Sequence, residues 1–211
     1  METQQNVWDA IAKSWHGFRQ KPILLIESLA VKWKPGKILD VGCGNGRNLI
    51  PFLKNDFKGV GLDFSKQMLK NAEVLMKKNN VFGRVELKQG EMQKLPFVDN
   101  SFDYVTSIAS LHHMHKSEAY GAINEIKRVL SKRGIALVVV WNKLQPRFIL
   151  RGKEVFIPWK LGREAHDRYY YLYTPWELKR MITQAGFQIM ESSPIFGRNL
   201  FFIIRKQNES A

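Results

Sequence analysis

Alternating glycines follow a short apolar run near residue 40, and their spacing suits a ligand that contains a ribose. Asp40 precedes Gly42, Gly44 and Gly46. Glycines at alternate positions between a strand and a helix allow a sharp turn and a close approach of the backbone to a ligand. Asp63 comes at the predicted end of the next strand, where its carboxylate can accept hydrogen bonds from both hydroxyls of a ribose. These residues predict a nucleoside-binding site.

The glycine spacing differs from that of nicotinamide dinucleotide-binding proteins. Their G-x-G-x-x-G fingerprint would need a glycine at position 47, where this chain has Arg47. The pattern here is D-x-G-x-G-x-G, with an acid ahead of the turn that suits a ligand ending in an ammonium group. S-adenosylmethionine has that ammonium group and lacks a pyrophosphate. The pattern therefore predicts S-adenosylmethionine as the cofactor and makes a nicotinamide-dependent oxidoreductase the weakest reading.

Strands and helices must alternate to position these residues, and the sequence shows that alternation over residues 37–140. Short β-branched runs are separated by helical patterns, such as Met68, Ala72 and Leu75 at positions i, i+4 and i+7. This order predicts a parallel sheet with right-handed crossovers. Two late strands, near residues 187–190 and 200–205, have so short a connection that they must pair antiparallel. We expect an α/β fold with a doubly wound, seven-stranded, mostly parallel sheet and a reversed edge strand.

Capping residues indicate where two of the later helices begin. Thr174 is a good cap, Pro175 suits the first helical position, and Glu177 can complete a capping box. Gly186 is expected to end that helix. Ser117 is the predicted cap of the preceding helix.

The composition restricts the class of protein. Thirty-three basic and 19 acidic residues give a net charge of +14, which favours a polyanionic partner without identifying one. Cys43 is the single cysteine, so neither an internal disulfide nor a cysteine zinc cluster is expected, and no other metal site is evident. The longest apolar run, residues 135–141, is too short for a membrane span of about 20 residues. Residues 1–6 are polar and do not form an export leader, so we expect a cytoplasmic protein.

One domain is expected for 211 residues of which 45% are hydrophobic. Aromatic residues concentrate in an insertion, residues 142–173, in which seven basic and three acidic residues give a net charge of +4. In open α/β sheets, segments beyond the carboxyl ends of the strands often carry substrate specificity. Within a single domain over residues 1–211, the expected parts are a helical segment (1–36), a cofactor-binding core (37–141), the insertion (142–173) and a C-terminal helix with two strands (174–211).

The chain resembles the class I S-adenosylmethionine-dependent methyltransferases from residue 37 to about residue 205. Beside the glycine turn and Asp63, the matching elements are residues 90–92 ahead of 95–97, and residues 102–104 leading to 111–113. The resemblance implies that the glycine turn surrounds the methionine part, that Asp63 holds the ribose, and that Glu91 with Met92 meets the adenine. Glu91 departs from the aspartate that is more frequent there. The cofactor-binding residues implied in this way are Asp40, Gly42, Cys43, Gly44, Gly46, Asp63, Phe64, Gly90, Glu91, Met92 and Ser107.

Two features that other classes of methyltransferase need, and that this sequence lacks, restrict the chemical class of the methyl acceptor. Methylation of a base carbon commonly needs a cysteine nucleophile, and Cys43 is expected to be a small packed residue in the glycine turn. Residues 107–110 read Ser-Ile-Ala-Ser, which is not the Asn/Asp-Pro-Pro-aromatic motif of enzymes that methylate base amino groups. Oxygen acceptors and small molecules are therefore favoured.

Four segments resemble the tRNA wobble-uridine carboxymethyl methyltransferases: residues 11–22, residues 107–109 with 112–113, residues 155–159, and residues 168–173 before the capped helix. Ile23 departs from the tryptophan usual in that family, and the insertion is shorter than in its eukaryotic members. The resemblance implies a tRNA anticodon loop as substrate and a small zinc-binding activator subunit as partner, for which the strand near residues 84–87 is a natural edge. It also implies acceptor-site residues: Arg19 and Arg168 as carboxylate or phosphate anchors, with His112, His113 and Tyr169 shaping the pocket.

Two other functions remain open. A methyltransferase acting on a small metabolite, such as a quinone precursor or an organic acid, would share every cofactor motif and leave residues 155–159 and 168–173 as packing. A non-catalytic tRNA-binding protein with a vestigial cofactor site is a further alternative, against which the intact glycine turn and Asp63 argue.

Overall fold

The computed structural model describes residues 2–207, which fold into alternating strands and helices as the sequence pattern predicts. The helices are α1 (Gln4–Phe18), α2 (Leu24–Lys32), α3 (Ile50–Lys54), α4 (Lys66–Lys78), α5 (Lys116–Val129) and α6 (Pro175–Gln184). The strands are β1 (Lys37–Val41), β2 (Lys58–Asp63), β3 (Val85–Gln89), β4 (Phe102–Ile108), β5 (Leu130–Trp141), β6 (Glu154–Leu161), β7 (Glu164–Tyr171), β8 (Phe187–Ser192) and β9 (Asn199–Lys206). Short 3-10 turns lie at Phe82–Arg84 and Leu111–His113.

Seven strands form one sheet in the order β3-β2-β1-β4-β5-β9-β8. The β1–β2, β2–β3 and β4–β5 pairs are parallel, whereas β9 pairs antiparallel with both β5 and β8. The predicted α/β fold with a mostly parallel seven-stranded sheet is confirmed. The reversed strand is β9, which lies second from the edge, and β8 outside it runs in the direction of β5.

Two compact units make up the described chain: residues 2–91 with 158–168, and residues 92–157 with 169–207. The first contains β1, β2, β3 and the four helices α1 to α4, together with the tip of the β6–β7 hairpin. The second contains β4, β5, β8 and β9 with α5 and α6. The single domain over residues 1–211 stays a prediction. No helix within residues 2–207 combines the length and the apolar character needed to cross a bilayer.

The N-terminal helix α1 is amphipathic and packs against α4 in the first unit. Trp8, Ile11 and Ala12 are buried beside Met68 of α4, with Trp15 partly buried at the same cluster. Asp9 accepts hydrogen bonds from the Ser65 hydroxyl and the Gln67 amide at the start of α4. With α1 packed on α4 in this way, the C-terminal end of α1 lies near the glycine turn.

The insertion between β5 and α6 contains a β-hairpin that the sequence did not predict. Strands β6 and β7 form a separate two-stranded sheet, and Gly162 adopts a left-handed conformation (φ +60°) in the two-residue turn between them. In β6, Val155, Ile157 and Trp159 are less exposed than their neighbours, which is the alternation of a strand with one covered face. The alternation of these three apolar residues with exposed neighbours is the sequence signal that could have predicted the strand.

The capping predictions were partly correct. Thr174 Oγ1 accepts from the Glu177 amide at 3.3 Å, and Gly186 follows the end of α6 with φ +79°, as predicted. The capping box is wrong, because the Glu177 carboxylate is bound by Tyr171 Oη at 2.6 Å, Lys116 Nζ at 2.7 Å and Lys153 Nζ at 3.0 Å. Two ammonium groups and a phenol satisfy this carboxylate better than one backbone amide could. Ser117 as a cap is also wrong, because α5 begins at Lys116 and Glu118 accepts from the amide of the N-cap residue before it, at 2.8 Å.

Candidate active site

The glycine turn after β1 requires glycine for its backbone geometry. Gly44 and Gly46 have φ values of +55° and +72°, a region that other residues enter only with strain. A Cβ at Gly46 would lie 2.4 Å from Met76 Cε and 3.3 Å from Ala72 Cβ, so a side chain there would also require the end of the Met76 side chain to move. The amides of Gly42 and Cys43 both donate to the Leu62 carbonyl of β2, at 2.8 and 2.9 Å. The turn is thereby fixed against the end of the neighbouring strand.

Asp63 joins this turn to the start of α4. It is 5% exposed, its Oδ2 accepts from the Gly44 amide at 2.8 Å, and its Oδ1 accepts from the Ser65 amide at 2.9 Å. Burial raises the pKa of Asp63 to about 6, an effect that the backbone N–H bonds reduce and the nearby Asp9 carboxylate increases. The predicted position of Asp63 at the end of β2 is correct, and its role in holding the ribose stays a prediction.

The predicted residues next to Asp63 in the first unit also lie beside it. The Gly90 amide donates to the Asp63 carbonyl at 3.1 Å. The Phe64 carbonyl accepts from the side-chain amides of Gln5 and Gln89, at 3.1 and 3.0 Å. Glu91 is exposed. The sequence signals at residues 63–64 and 90 therefore converge on one end of the β2–β3 pair.

Asn45, which the sequence reading passed over, is fully buried within the turn. Its Nδ2 donates to the Arg19 carbonyl at 2.7 Å and contacts His16 Nδ1 at 3.0 Å. Burial, and then the charge of Lys78, lowers the pKa of His16, which favours the neutral ring. Asn45 Oδ1 has no hydrogen-bond partner among residues 2–207, although an unsatisfied buried acceptor costs about 1–3 kcal/mol. A side-chain amide between two glycines was the signal that could have identified it.

These features fit S-adenosylmethionine. An ammonium donor would satisfy Asn45 Oδ1, and the Asp40 carboxylate, 1% exposed at the end of β1, offers a negative charge for the same group. Asp63 offers carboxylate lone pairs to ribose hydroxyls. The acceptor groups at the turn therefore match the ammonium group and the ribose hydroxyls of the cofactor.

Cys43 is buried in the same turn and is unsuited to nucleophilic attack. Burial raises the pKa of the Cys43 thiol well above its ordinary value, and the charges of Asp63 and Asp40 raise it further. Since the thiolate is the reactive form, this thiol is inert. The structure agrees with the small packed residue expected from the sequence.

Two arginines of the first unit, the exposed Arg19 and the partly buried Arg47, lie close enough for their charges to interact, and we call them the Arg19–Arg47 pair. Arg47 is partly buried and lies over the Trp15 ring, with its guanidinium carbon 5.1 Å from the ring centroid. Burial first, and then the positive charge of Arg19, lowers the pKa of Arg47 to about 10, while Asp40 acts in the opposite direction. Within residues 2–207 neither guanidinium forms a hydrogen bond or an ion pair with a carboxylate. Two guanidinium groups without ion pairs to carboxylates are suited to binding an anion.

Arg168, the second predicted anchor, lies on β7 among tryptophan rings of the first unit. It is 8% exposed, and its guanidinium carbon is 4.9 Å from the Trp159 ring centroid and 6.0 Å from that of Trp8. Trp159 is itself held by a 3.2 Å hydrogen bond from its Nε1 to Ser14 of α1. The rings orient the guanidinium by cation–π contact. Its role as an anion anchor stays a prediction.

The second unit contains a cluster of aromatic rings at the end of β5. Trp141 stacks on Tyr170 with centroids 4.3 Å apart, and Tyr170 also contacts His112 and His113 at 5.2 and 4.4 Å. His112 Nδ1 accepts from the Trp141 amide at 2.9 Å, so the ring nitrogen that carries the proton is Nε2. His113 Nδ1 donates to the Tyr169 carbonyl at 3.0 Å. The structure thus brings His112 and His113 together.

The sequence predicted that Tyr169 shapes the acceptor pocket together with His112 and His113, but its ring packs against other residues. The Tyr169 ring lies 4.5 Å from His115 and 5.6 Å from Phe156, centroid to centroid. Tyr170 is the tyrosine whose ring meets the two histidines. Neighbouring side chains of a strand point to opposite faces, so the sequence alone could not decide between them. The acceptor-pocket role of Tyr169 stays a prediction.

Two further predicted cofactor residues lie in the second unit. Met92 is 8% exposed, and Ser107, at 1%, lies near the end of β4 with its hydroxyl 2.9 Å from that of Ser110. Their contact with the cofactor stays a prediction. Among residues 2–207 no group of three or more histidine, cysteine, aspartate or glutamate side chains is placed to hold a metal ion.

Comparison with known proteins identifies the family. A family model described as a methyltransferase domain matches residues 38–134. A protein of Encephalitozoon cuniculi (strain GB-M1) named as a methyltransferase is 33% identical over 163 residues, which are 73% of this chain and 71% of the relative. The chain belongs to the class I S-adenosylmethionine-dependent methyltransferases. Its cofactor is S-adenosylmethionine, as the glycine turn predicts.

Relatives of this methyltransferase act on different acceptors. The tRNA (carboxymethyluridine(34)-5-O)-methyltransferase of Schizosaccharomyces pombe is 27% identical over 98% of this chain and 97% of that protein. A demethylmenaquinone methyltransferase of Staphylococcus carnosus is 30% identical over 82% of this chain and 76% of that protein. The first is similar along the whole chain, and the second is slightly more similar over a shorter stretch.

Solved structures confirm the fold of this methyltransferase. The CcbJ methyltransferase of Streptomyces caelestis superposes with a TM-score of 0.81 and 16% identity, over 97% of this chain and 99% of that one. The 1,6-didemethyltoxoflavin-N1-methyltransferase of Burkholderia thailandensis, solved with S-adenosylhomocysteine, gives a TM-score of 0.74 and 18% identity over 97% of this chain and 87% of that one. At this level of identity the likeness concerns the fold alone.

Proposed function

We propose that this methyltransferase converts the carboxylate of carboxymethyluridine, at the wobble position of a tRNA anticodon loop, to its methyl ester. The observation that carries the proposal is the Arg19–Arg47 pair, two guanidinium groups whose charges interact and that form no ion pair with a carboxylate among residues 2–207. The similarity of the S. pombe tRNA enzyme along 98% of the chain supports the same acceptor. An anionic oxygen nucleophile is the substrate that such a pair fits best.

A carboxylate acceptor explains why the candidate residues are arginines and aromatic rings. The acceptor is already ionised near neutral pH, so no general base has to remove a proton. The enzyme must hold the carboxylate in line with the methyl group and exclude water. Bidentate hydrogen bonds from Arg19 and Arg47 would orient it, and Arg168 would anchor a second anionic group of the substrate.

The cofactor is held, in this proposal, by the glycine turn and three polar side chains. Asp40 and Asn45 Oδ1 would accept from the ammonium group, and Asp63 would accept from the ribose hydroxyls. When bound, S-adenosylmethionine supplies an electrophilic methyl group. One carboxylate oxygen of the acceptor forms the new C–O bond as the C–S bond breaks, and the electron pair of that bond stays on sulfur. No net proton is transferred.

The aromatic cluster of the second unit provides surfaces for an unstacked base. Anticodon-loop bases are single-stranded and can be splayed out onto aromatic side chains, each contributing about 1–3 kcal/mol. Of the residues that we assign to the acceptor base, His113 is partly exposed and can meet it, whereas His112 and Tyr169 are buried and would shape the pocket from behind, with Tyr170 as the ring that supports the histidines.

We propose the edge of the sheet at β3 as the docking site of a partner subunit. β3 lies at one end of the strand order and pairs only with β2 among the described strands, so its other side is open to β-augmentation. We propose that a small zinc-binding activator adds a strand there, and that the complex works in the cytoplasm. Co-expression should raise soluble yield and activity, whereas full activity of the chain alone would contradict this.

A small-molecule acceptor is the second candidate. The S. carnosus demethylmenaquinone methyltransferase, at 30% identity, supports it. A non-catalytic tRNA-binding protein is a weaker candidate, and calorimetric titration with S-adenosylmethionine would test it directly. A quinone precursor, or a tRNA bound without catalysis, would leave the Arg19–Arg47 pair without an acceptor carboxylate, whereas an organic acid would provide one.

Transfer of labelled methyl groups separates these candidates. The protein, alone and with its candidate activator, is incubated with labelled S-adenosylmethionine and either tRNA that carries carboxymethyluridine, tRNA that lacks it, or small organic acids and quinone precursors. We expect label only in the first tRNA. Full transfer to a small acceptor, with no effect of tRNA, would contradict the proposal.

A further inference from the structure

Two loops of the second unit are joined into one surface, which we call the double-loop surface (residues 142–151 and 193–199). Asn142 Nδ2 donates to the carbonyls of Ile195 and Gly197, at 2.8 and 3.0 Å. Gln145 Nε2 donates to the Arg198 carbonyl at 2.7 Å, and the Asn142 amide donates to the same carbonyl at 3.1 Å. Asn142 and Gln145 are both buried. These bonds hold the two loops in a fixed arrangement directly after β5.

The double-loop surface carries a concentrated positive charge. Arg147, Arg151 and Arg198 belong to it, and neither of its two segments contains an aspartate or a glutamate. Burial first, and then the charges of Arg198 and Arg151, lowers the pKa of Arg147, so both of these guanidinium groups lie close enough to Arg147 to repel it. Within residues 2–207 none of the three forms an ion pair. Such an arrangement is stabilised by an anionic partner with several charges.

Exposed apolar side chains lie on the same two loops. Leu150 is 97% exposed and Phe196 is 80% exposed, with Ile149 and Ile195 exposed by about half. The Phe196 ring lies largely in water. It presents a flat face to a partner, and nucleic acid bases stack on such faces.

Packed aromatic rings hold one arginine of the double-loop surface, Arg147, in place. The Arg147 guanidinium lies over the rings of Trp141 and Phe148, 4.5 and 4.3 Å from their centroids. Phe148 is buried, and Trp141 stacks on Tyr170. Because the rings fix this guanidinium, little conformational entropy is lost when an anion binds to it.

We propose that the double-loop surface binds an unpaired segment of RNA, with Arg147, Arg151 and Arg198 on successive phosphates and Phe196 stacked on a base. The identity of that RNA as tRNA rests on the proposed function, but the surface itself does not. A lipid surface would be met by an amphipathic helix with a broad apolar face, which these two loops do not provide. Repeated phosphates spaced along a flexible chain match three unpaired arginines on two loops.

A charge reversal at this surface tests the proposal. We compare the Arg151→Glu/Arg198→Glu variant with a Lys132→Glu/Arg133→Glu control, in which the same charge change falls on exposed residues near the other end of β5. Affinity for a fluorescently labelled tRNA anticodon stem-loop is measured by anisotropy across a range of salt concentrations. We expect at least a tenfold loss for the first variant and less than about threefold for the control, with a salt slope smaller by about 2 in the first variant only.

The stacking role has its own comparison. Phe196→Ala should weaken binding by about fivefold or more, and Phe196→Tyr, which keeps the ring, should retain it. Circular dichroism and S-adenosylmethionine titration check that each variant is folded, and Arg151→Gln/Arg198→Gln replaces the charge reversal if it fails to fold.

Failure of this inference can be told apart from failure of the proposed function. Wild-type protein that methylates tRNA, together with surface variants that bind tRNA like the control, would overturn the RNA surface alone. Loss of binding in the surface variants, with no methyl transfer to any tRNA, would support the surface and contradict the proposed function. Binding to phosphatidylglycerol vesicles that the variants abolish, with unchanged RNA affinity, would also overturn the RNA surface.

Discussion

At the scale of single residues, the first unit concentrates polar groups that burial has left incompletely satisfied. Asn45 Oδ1 has no partner in the described chain, burial lowers the pKa of Arg47, and burial raises the pKa of Asp63. Each of these arrangements costs free energy in the protein alone. A cofactor with an ammonium group and ribose hydroxyls, and an acceptor with a carboxylate, would offset those costs.

The pKa of Asp63, about 6, predicts that cofactor affinity depends on pH. A raised pKa means that the carboxyl is protonated below about pH 6, where it loses acceptor capacity for the ribose hydroxyls. Calorimetric affinity for S-adenosylmethionine should therefore fall as the pH decreases from 8 to 5. The Asp63→Asn variant should bind more weakly at pH 8 and lose this dependence. An unchanged pH profile in that variant would assign the titration to another group.

The Arg19–Arg47 pair predicts a separation of catalysis from cofactor binding. Arg19→Ala and Arg47→Leu should each lower methyl transfer by about 10- to 100-fold, since a hydrogen bond to a charged group contributes about 1.5–3 kcal/mol. Arg47→Lys keeps the charge but not the bidentate geometry, and should be intermediate. S-adenosylmethionine affinity should stay within about threefold. Loss of that affinity instead would move the pair from the acceptor to the methionine carboxylate.

At the scale of elements, Asn45 attaches the C-terminal end of α1 to the glycine turn by hydrogen bonds. Asn45 donates to the Arg19 carbonyl and contacts His16, while Arg47 lies over the Trp15 ring of the same helix end. The same helix is fastened near its middle by Asn71 of α4, whose Nδ2 donates to the Ala12 carbonyl at 3.0 Å. The position of Arg19 therefore depends on Asn45, and the position of the helix as a whole does not.

This difference predicts distinct effects of two asparagine substitutions. Asn45→Ala should speed hydrogen exchange at residues 16–20 and lower methyl transfer, because the end of α1 loses its attachment. Asn71→Ala removes a similar bond to the same helix and should leave methyl transfer within about threefold. Both variants are compared by hydrogen-exchange mass spectrometry and by rate. Equal rates for the two would contradict a positioning role for Asn45.

Elements with a local signal were predictable from the sequence, and contacts between distant residues were not. The glycine turn, Asp63 at the end of β2 and the start of α6 at Pro175 follow from rules that act within a few residues. The Arg19–Arg47 pair joins residues that are far apart in sequence, so no local pattern indicates it. Glu177 was expected to cap its own helix, but lysines from two other segments bind it.

At the scale of the whole molecule, the net charge of +14 has no single location. Part of it forms the double-loop surface, and part forms the Arg19–Arg47 pair. If a polyanion is the substrate, the whole distribution contributes to its attraction. The fold alone does not select the acceptor. The structure with a TM-score of 0.74 is a methyltransferase of 1,6-didemethyltoxoflavin, and the name of the one with a TM-score of 0.81 gives no substrate.

The charge predicts that methyl transfer to tRNA decreases steeply as salt increases. Lys and Arg contacts to phosphates release counterions, so apparent affinity should fall by about 10³-fold or more between 50 and 200 mM salt if six or more phosphates are contacted. Affinity for S-adenosylmethionine, measured in parallel, should change little. Transfer that is insensitive to salt would favour a small acceptor.

The central claim is tested most directly by mass spectrometry of nucleosides from tRNA that has been incubated with the protein and deuterated S-adenosylmethionine. We predict a deuterated methyl ester on carboxymethyluridine, which mild alkali converts back to the free carboxylate with release of labelled methanol. A label that resists alkali, or that appears on another nucleoside, would contradict the assignment of this protein as a carboxylate methyltransferase of the wobble uridine.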